Sequence, residues 1–321
     1  MALTGSYGDL YDRQLRTLIE HELQQKGSVL LPCVTREAIG PADSTWFPKI
    51  GQSTSYEVTG RNQAVDIQDQ TYERRGIVPV LLEGVHQINA IDMARYKRSP
   101  QPELVESLAR QLGRQFDVHI LTALSGSALR ELNGSSSAAS FDSNNTIAVS
   151  TNTFAMKEEG GGALTGDTGL HEGKILQAIN KLQTAYALEP GDEIFVVGPS
   201  IQLTGLKARA LRGDSAGLYQ NSPNIGVPMA DKALQGFLGC TFIQYENTGV
   251  DGSSDQYVYI FTRKAIKFAI IDDIAFNSMV QLDKKGNPTL HKCNATVGAV
   301  RMWEEAVVRV LCDPTPTYAT A

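Results

Sequence analysis

The stretch EGGGALTGDTGLHEGKI, residues 159–175, has the ingredients of a phosphate cradle: clustered glycines, Lys174, and a helical pattern after it. A Walker A loop needs G-x-x-x-x-G-K-[ST], so that backbone amides wrap the phosphates and a hydroxyl reaches magnesium. Here Ile175 follows Gly173-Lys174, and Thr168 stands where the first glycine belongs. A dinucleotide fingerprint begins at Gly160 and Gly162 but meets Thr165 at its third glycine. The preceding FAMKEEGGG is not the buried apolar strand that feeds such loops. The stretch reads instead as a hinge, with Asp167 or Thr168 capping the helix that follows.

Other chemistry-bearing patterns fail in the same way. GDSAG, residues 213–217, matches the nucleophile elbow around Ser215. That motif works at a sharp strand-to-helix turn, whereas a helical segment precedes it here and LYQNSPN follows. HELQQ begins like a zinc-binding H-E-x-x-H, but Gln25 replaces the second histidine. The five histidines (His21, His86, His119, His171, His291) form no i, i+4 pair. Asp272-Asp273 reads as an acidic turn rather than an acid/base pair. Cys33, Cys240, Cys293 and Cys312 show no C-x-x-C spacing and read as buried, reduced thiols. No catalytic residue, metal ligand or cofactor site emerges. YERRG, residues 72–76, is a small basic cluster; its arginines suit ion pairs with carboxylates across an interface.

Composition is that of a globular protein rather than a disordered one. Hydrophobic residues make up 42% and charged residues 20% of the 321. The formal charge of -6 argues against gripping nucleic acid by neutralising its phosphates, though not against enclosing it. Neither a leader-like apolar core near the start nor an apolar run of membrane-spanning length is seen. A soluble protein made in the cytoplasm, with no membrane partner, is expected.

The elements that must carry these residues are uneven. Residues 9–25 have the period of a short amphipathic helix, and GSVLLPCV that of a strand. Residues 41–75 are poor in apolar side chains and turn at Gly60-Arg61-Asn62; they predict a long two-stranded arm that needs a partner surface. Then Leu104, Leu108, Leu112, Phe116 and Ile120 recur at i, i+4, which predicts an unusually long helix closed by Gly126. Residues 125–154 read as polar loop with a short strand at NTIAVS. A second helix is expected with Leu176, Ile179, Leu182 and Tyr186 on one face, stopped by Pro190-Gly191-Asp192. EIFVVG is a strand and PSIQLTGLKARALRG a helix. Three strand segments follow from GFLGCTFIQYEN to FAIID, and one or two long strands end the chain. The order favours an α+β fold over a doubly wound sheet.

This arrangement resembles the major capsid (coat) proteins of tailed double-stranded DNA bacteriophages, which have the HK97-type fold. LRTLIEHELQQKGSVLLPCV resembles the N-terminal arm, and STWFPKIGQSTSYEVTGRNQAVDIQDQTYERRGIVPV the extended β-hairpin loop. PELVESLARQLGRQFDVHILTAL is similar to the long spine helix, TGDTGLHEGKILQAINKLQ to the first axial-domain helix, and VRMWEEAVVRVLCDP to a last strand back in the peripheral domain. The resemblance divides the chain into N-terminal arm (1–40), extended loop (41–90), peripheral domain with spine helix (91–160), axial domain (161–275) and return to the peripheral domain (276–321).

The resemblance implies a self-assembling icosahedral shell subunit of the virion, built from hexamers and pentamers around packaged double-stranded DNA that is not specifically bound. Scaffolding protein, portal and a decoration protein are the implied partners, and synthesis in the host bacterial cytoplasm is expected. Intersubunit contacts are expected at Trp46, Phe47, Tyr72, Arg74 and Arg75, and a hinge at Gly160, Gly161, Gly162 and Gly166. Some members crosslink through a lysine on the extended loop; Lys49 lies at the base of the arm, so crosslinking is not inferred. Two alternatives stay open: an encapsulin-like nanocompartment shell, and an enzyme that uses the glycine loop or Ser215.

Overall fold

The computed structural model describes residues 27–40, 44–51, 55, 57, 60, 61, 70–89, 101–132, 134–151, 166–212 and 237–315. The 9–25 helix, the tip of the hairpin, Gly160, Gly161, Gly162 and Ser215 lie outside these residues. In chain order the strands are β1 (Thr35–Ala38), β2 (Thr45–Ile50), β3 (Tyr72–Ile77), β4 (Val80–Ile88), β5 (Ala128–Leu132), β6 (Ser135–Ala139) and β7 (Thr146–Ile147). They continue as β8 (Ile194–Gly198), β9 (Cys240–Gln244), β10 (Gln256–Thr262), β11 (Ile266–Val280), β12 (Thr289–Arg301) and β13 (Val307–Cys312). The α-helices are α1 (Gln101–Ser125), α2 (Glu172–Thr184) and α3 (Ser200–Arg212).

Contacts group these elements into two units. One takes in Val80–Phe116 and Asp272–Thr296; the other takes in Val29–Pro79, Asp117–Ile271 and the chain from Val297 on. In the first, β4 lies beside β12 in the sheet order β1-β11-β12-β4. Gly84 of β4 is buried, and a Cβ there would stand 3.1 Å from the Leu108 side chain of α1.

The α1 helix matches its periodicity closely. Leu108, Leu112, Phe116, Ile120 and Leu124 are all buried. Removing such a side chain from water contributes about 1.5–3 kcal/mol. Pro102 falls in the first turn, where its missing N–H costs no helical bond, and Gly126 ends the helix.

The second unit holds a five-stranded sheet of order β7-β13-β10-β8-β9. β10 is antiparallel to β13 and β8, while β8 and β9 are parallel, with α3 between them in the chain. Alternation along β10 and β13 puts Val258, Ile260, Val308, Val310 and Cys312 in one cluster with Ile175, Ala178 and Leu182 of α2 and Leu203 and Leu206 of α3. A second cluster gathers Phe47, Ile77, Ala128, Ala269, Val300 and Met302.

β13 lies between β7 and β10, among strands drawn from residues 146–262. Three expectations change. Residues 128–139 are a β-hairpin, not loop: β5 and β6 pair antiparallel around Gly134, whose φ of 81° suits glycine. The serine-rich β6 gave no apolar alternation because four of its five residues face water. The two-stranded arm is not alone at its base, because β2 and β3 belong to a sheet of order β2-β3-β5-β6. Finally, α2 buries Ile175 and Ala178 rather than Leu176, and Tyr186 lies past the helix end, 89% exposed at φ 53°.

Candidate functional site

The base of the β2–β3 hairpin carries all five expected contact residues in one register. Phe47 lies opposite Arg75, Pro48 opposite Arg74, Ile50 opposite Tyr72, and Trp46 opposite Gly76. Side chains of a strand alternate between faces, so these pairs sort into two sets. Phe47 and Arg75 point into the chain and are 6% and 2% exposed. Pro48, Arg74, Ile50 and Tyr72 are exposed. Trp46 shares their face and is half-buried; a Cβ on Gly76 would stand 3.0 Å from its ring and 2.8 Å from Leu129. Phe47 and Arg75 are therefore buried within the chain, and of the five Tyr72 and Arg74 are exposed and Trp46 half-buried.

The inward set grips the turn between β12 and β13. Arg75 Nη2 donates to Glu304 Oε1 at 3.1 Å, and its Nε lies 2.8 Å from Glu73 Oε1. Arg130 Nε stands 3.3 Å from the same Glu73 oxygen. Lys49 Nζ sits 4.4 Å above the Trp303 ring and 3.9 Å from Glu305. Lys267 Nζ covers the Phe47 ring at 4.3 Å and pairs with Glu37 at 2.8 Å. Of the YERRG arginines, Arg75 forms carboxylate pairs, and it forms them within one chain. Arg75 is the costly member to remove: breaking a buried pair leaves an uncompensated charge worth about 3–5 kcal/mol, whereas the more exposed Glu305 and Glu37 pairs contribute little.

Two residues that sequence reasoning missed anchor α1. Arg301, fully buried, donates from Nη1 to the carbonyls of Ala123 (3.2 Å), Leu124 (3.1 Å) and Gly126 (2.8 Å). The last turn of α1 has no basic residue of its own, so Arg301 supplies the cation that a helix C-terminus favours. Asp117, also buried, accepts from the amides of Val29 (2.9 Å) and Leu30 (3.0 Å) and holds that segment against the helix. The available signal was a charged residue inside an apolar stripe: Asp117 follows Phe116, and Arg301 follows Val300.

The glycine stretch has a mechanical role where it is described. Lys174 is fully buried and donates to the carbonyls of Thr168 (2.7 Å) and Leu311 (2.9 Å). Burial pushes its amine pKa down, against the opposing field of Cys312, Asp255, Asp167 and Asp313. Gln202 completes the anchor: its Oε1 accepts from the Leu170 amide at 2.9 Å, and its Nε2 donates to the Asp313 carbonyl at 2.6 Å. A lysine committed to carbonyls has no reach to a phosphate. Neither Asp167 nor Thr168 is the N-cap; His171 is, with no side-chain cap bond, and the Thr168 hydroxyl donates to Val149 instead. Gly166 has φ 81° and open space around it. His119 is half-buried on α1, and burial lowers its pKa. Among the described residues no group of His, Cys, Asp and Glu is placed to hold a metal.

A family model for phage capsid proteins matches residues 9–314. The chain belongs to the phage capsid protein family. Solved capsids share the HK97-type fold of this subunit over nearly its whole length. The capsid of Cyanophage P-SCSP1u is 12% identical with a TM-score of 0.65, covering 96% of this chain and 94% of that one. The capsid of Ralstonia phage GP4 is 10% identical with a TM-score of 0.64, covering 99% and 100%. The mature capsid of bacteriophage PhiM1 is 11% identical with a TM-score of 0.59, covering 95% and 92%. Curated proteins return no match. As a major capsid protein, the subunit forms the head shell of the virion. The geometry described above is that of a shell block whose hairpin base, long helix and sheet are fixed to one another by buried charge within the second unit.

Proposed function

We propose that the capsid subunit assembles with copies of itself into hexamers and pentamers, which close around packaged double-stranded DNA without recognising its sequence. The observation that carries this is the family match across residues 9–314. The charge of -6 supports a wall that does not hold its contents by neutralising phosphates. Synthesis in the host bacterial cytoplasm, a scaffolding protein, a portal and a decoration protein belong to the same proposal. So does the division into arm, extended loop, peripheral domain and axial domain. Trp46, Tyr72 and Arg74 form the hairpin face proposed to meet a neighbour, and Gly160, Gly161, Gly162 and Gly166 the hinge. No catalytic step enters this reading, and the phage match favours it over a nanocompartment.

Expression of the chain with and without a phage scaffolding protein, followed by sedimentation velocity, tests the proposal. Capsomer- or shell-sized species are expected. A monomer at high concentration under both conditions would refute it.

A further inference from the structure

β11 has two unlike halves. Its first half is covered along one edge by β1, with Ala38 opposite Ile270 and the Ile39 amide donating to the Ile270 carbonyl at 3.0 Å. From Asp272 to Val280 every residue is exposed. β12 occupies the other edge, so among the described strands nothing pairs with β11 on the β1 side beyond Ile270. Such an edge offers backbone donors and acceptors to another strand, apart from the Ile274 amide, which donates to Asp273 Oδ1 at 2.8 Å. It also carries apolar side chains. Ile274, Phe276, Met279 and Val280 are 39–56% exposed, and Leu282 in the following turn is 80% exposed. Ile274, Phe276 and Val280 share one face, where Phe276 stacks on His291 at 5.8 Å, and exposed apolar side chains grouped in this way mark an interaction surface.

Charge identifies what covers it. The root of the exposed half carries Asp272 and Asp273, and the turn beyond its end carries Lys284 and Lys285, with Asp283 the one opposing charge there. Two copies of this edge laid antiparallel bring Asp272 and Asp273 at the root of each near Lys284 and Lys285 in the turn of the other. A parallel arrangement sets acid against acid. An antiparallel pairing of identical edges is the twofold, self-complementary contact that closed assemblies favour, and opposite charges at its two ends fix its register. The twofold axis sets one residue opposite its own copy, and Ser278 lies at that centre.

We infer that the Asp272–Val280 edge is a self-association site that pairs across a twofold axis with the same edge of a second copy of this chain. The inference rests on the reading of the chain as a shell subunit. The four native cysteines are buried, so a Ser278→Cys variant has one accessible thiol. Added oxidant should convert assembled Ser278→Cys protein to a disulfide-linked dimer on a non-reducing gel. The double reversal Lys284→Asp with Lys285→Asp should cut that crosslink and the assembled fraction about tenfold. Adding Asp272→Lys and Asp273→Lys in the same chain should restore both. Circular dichroism of each variant should match the parent, because the altered residues are exposed. Normal assembly by the double reversal, or assembled Ser278→Cys protein without a dimer band, would overturn the edge contact and leave the shell reading intact. Failure of the parent chain to assemble at all would overturn the shell reading itself.

Discussion

Arg301 Nη1 donates to the carbonyl of Gly126 at 2.8 Å, joining the end of β12 to the last turn of α1. The same nitrogen reaches Ala123 and Leu124, so one side chain satisfies three carbonyls that the helix leaves without intrahelical partners. Its second terminal nitrogen lies 3.8 Å from Glu304, which also binds Arg75 of the hairpin. Helix end, hairpin base and β12–β13 turn therefore share one buried charge network.

Arg301→Met should destabilise the subunit by about 3–5 kcal/mol, because it orphans the carbonyls and leaves Glu304 with less positive charge. Arg301→Lys should recover only part of this, since an ammonium cannot present a planar fork. Urea unfolding followed by circular dichroism measures both. A change under about 1 kcal/mol for Arg301→Met would contradict the capping role.

The two neighbouring arginines of the hairpin should behave oppositely. Arg74→Glu changes an exposed face and should leave the melting temperature within a degree or two while reducing assembly. Arg75→Glu puts a carboxylate beside Glu73 and Glu304 in a buried site and should unfold the subunit or lower its stability by several kcal/mol. Thermal melts paired with sedimentation separate the two effects. Equal melting temperatures for both variants would refute the inward–outward assignment.

The fates of Arg74 and Arg75 show where the sequence was informative and where it was not. Its basic cluster was visible, but which arginine faces inward depends on strand register, and register depends on partners far along the chain. The i, i+4 leucines of α1 needed no such information, and the helix appears where they place it. β8 was legible because its residues are apolar on both faces. The β5–β6 hairpin was not, because exposed serines carry no alternation and backbone bonds hold it. Asp117 and Arg301 were missed because a lone charge in an apolar run gives no hint of which backbone groups it serves. At the glycine stretch, Thr165, Thr168 and Ile175 were enough to dismiss a phosphate loop, but the burial of Lys174 could come only from the fold.

Gly298→Ala should destabilise by about 1–3 kcal/mol through overpacking. A Cβ there would stand 2.2 Å from Ile77 Cγ2, in the cluster beneath the hairpin. Chemical denaturation of the purified variant gives the value; wild-type stability would show that this close approach is not maintained.

Stability should fall as pH rises above 9. Burial pushes the thiols of Cys33, Cys240 and Cys312 from 9.0 up to about 12. Between those values the unfolded chain ionises its thiols and the folded chain does not, so each thiol removes about 1.4 kcal/mol per pH unit. Below pH 9 both states keep the proton and the contribution vanishes. Lys174 acts in the other direction, because its lowered pKa means that the unfolded chain alone holds the extra proton as pH approaches 10.5. Burial also raises the Cys293 thiol, so one amine against four thiols leaves a net decline. Denaturation midpoints from pH 8 to 10.5 should show it, and alanine at the four cysteines should flatten it. An unchanged slope in that variant would assign the decline to other groups.

The central claim is that this chain is a shell-forming subunit, and electron cryomicroscopy of the expressed protein tests it most directly. The account predicts closed particles or sheets whose capsomers are five- and six-fold rings of this chain, with Tyr72 and Arg74 against a neighbouring copy. A homogeneous field of monomers, from protein expressed with scaffolding protein and shown by circular dichroism to be folded, would contradict it.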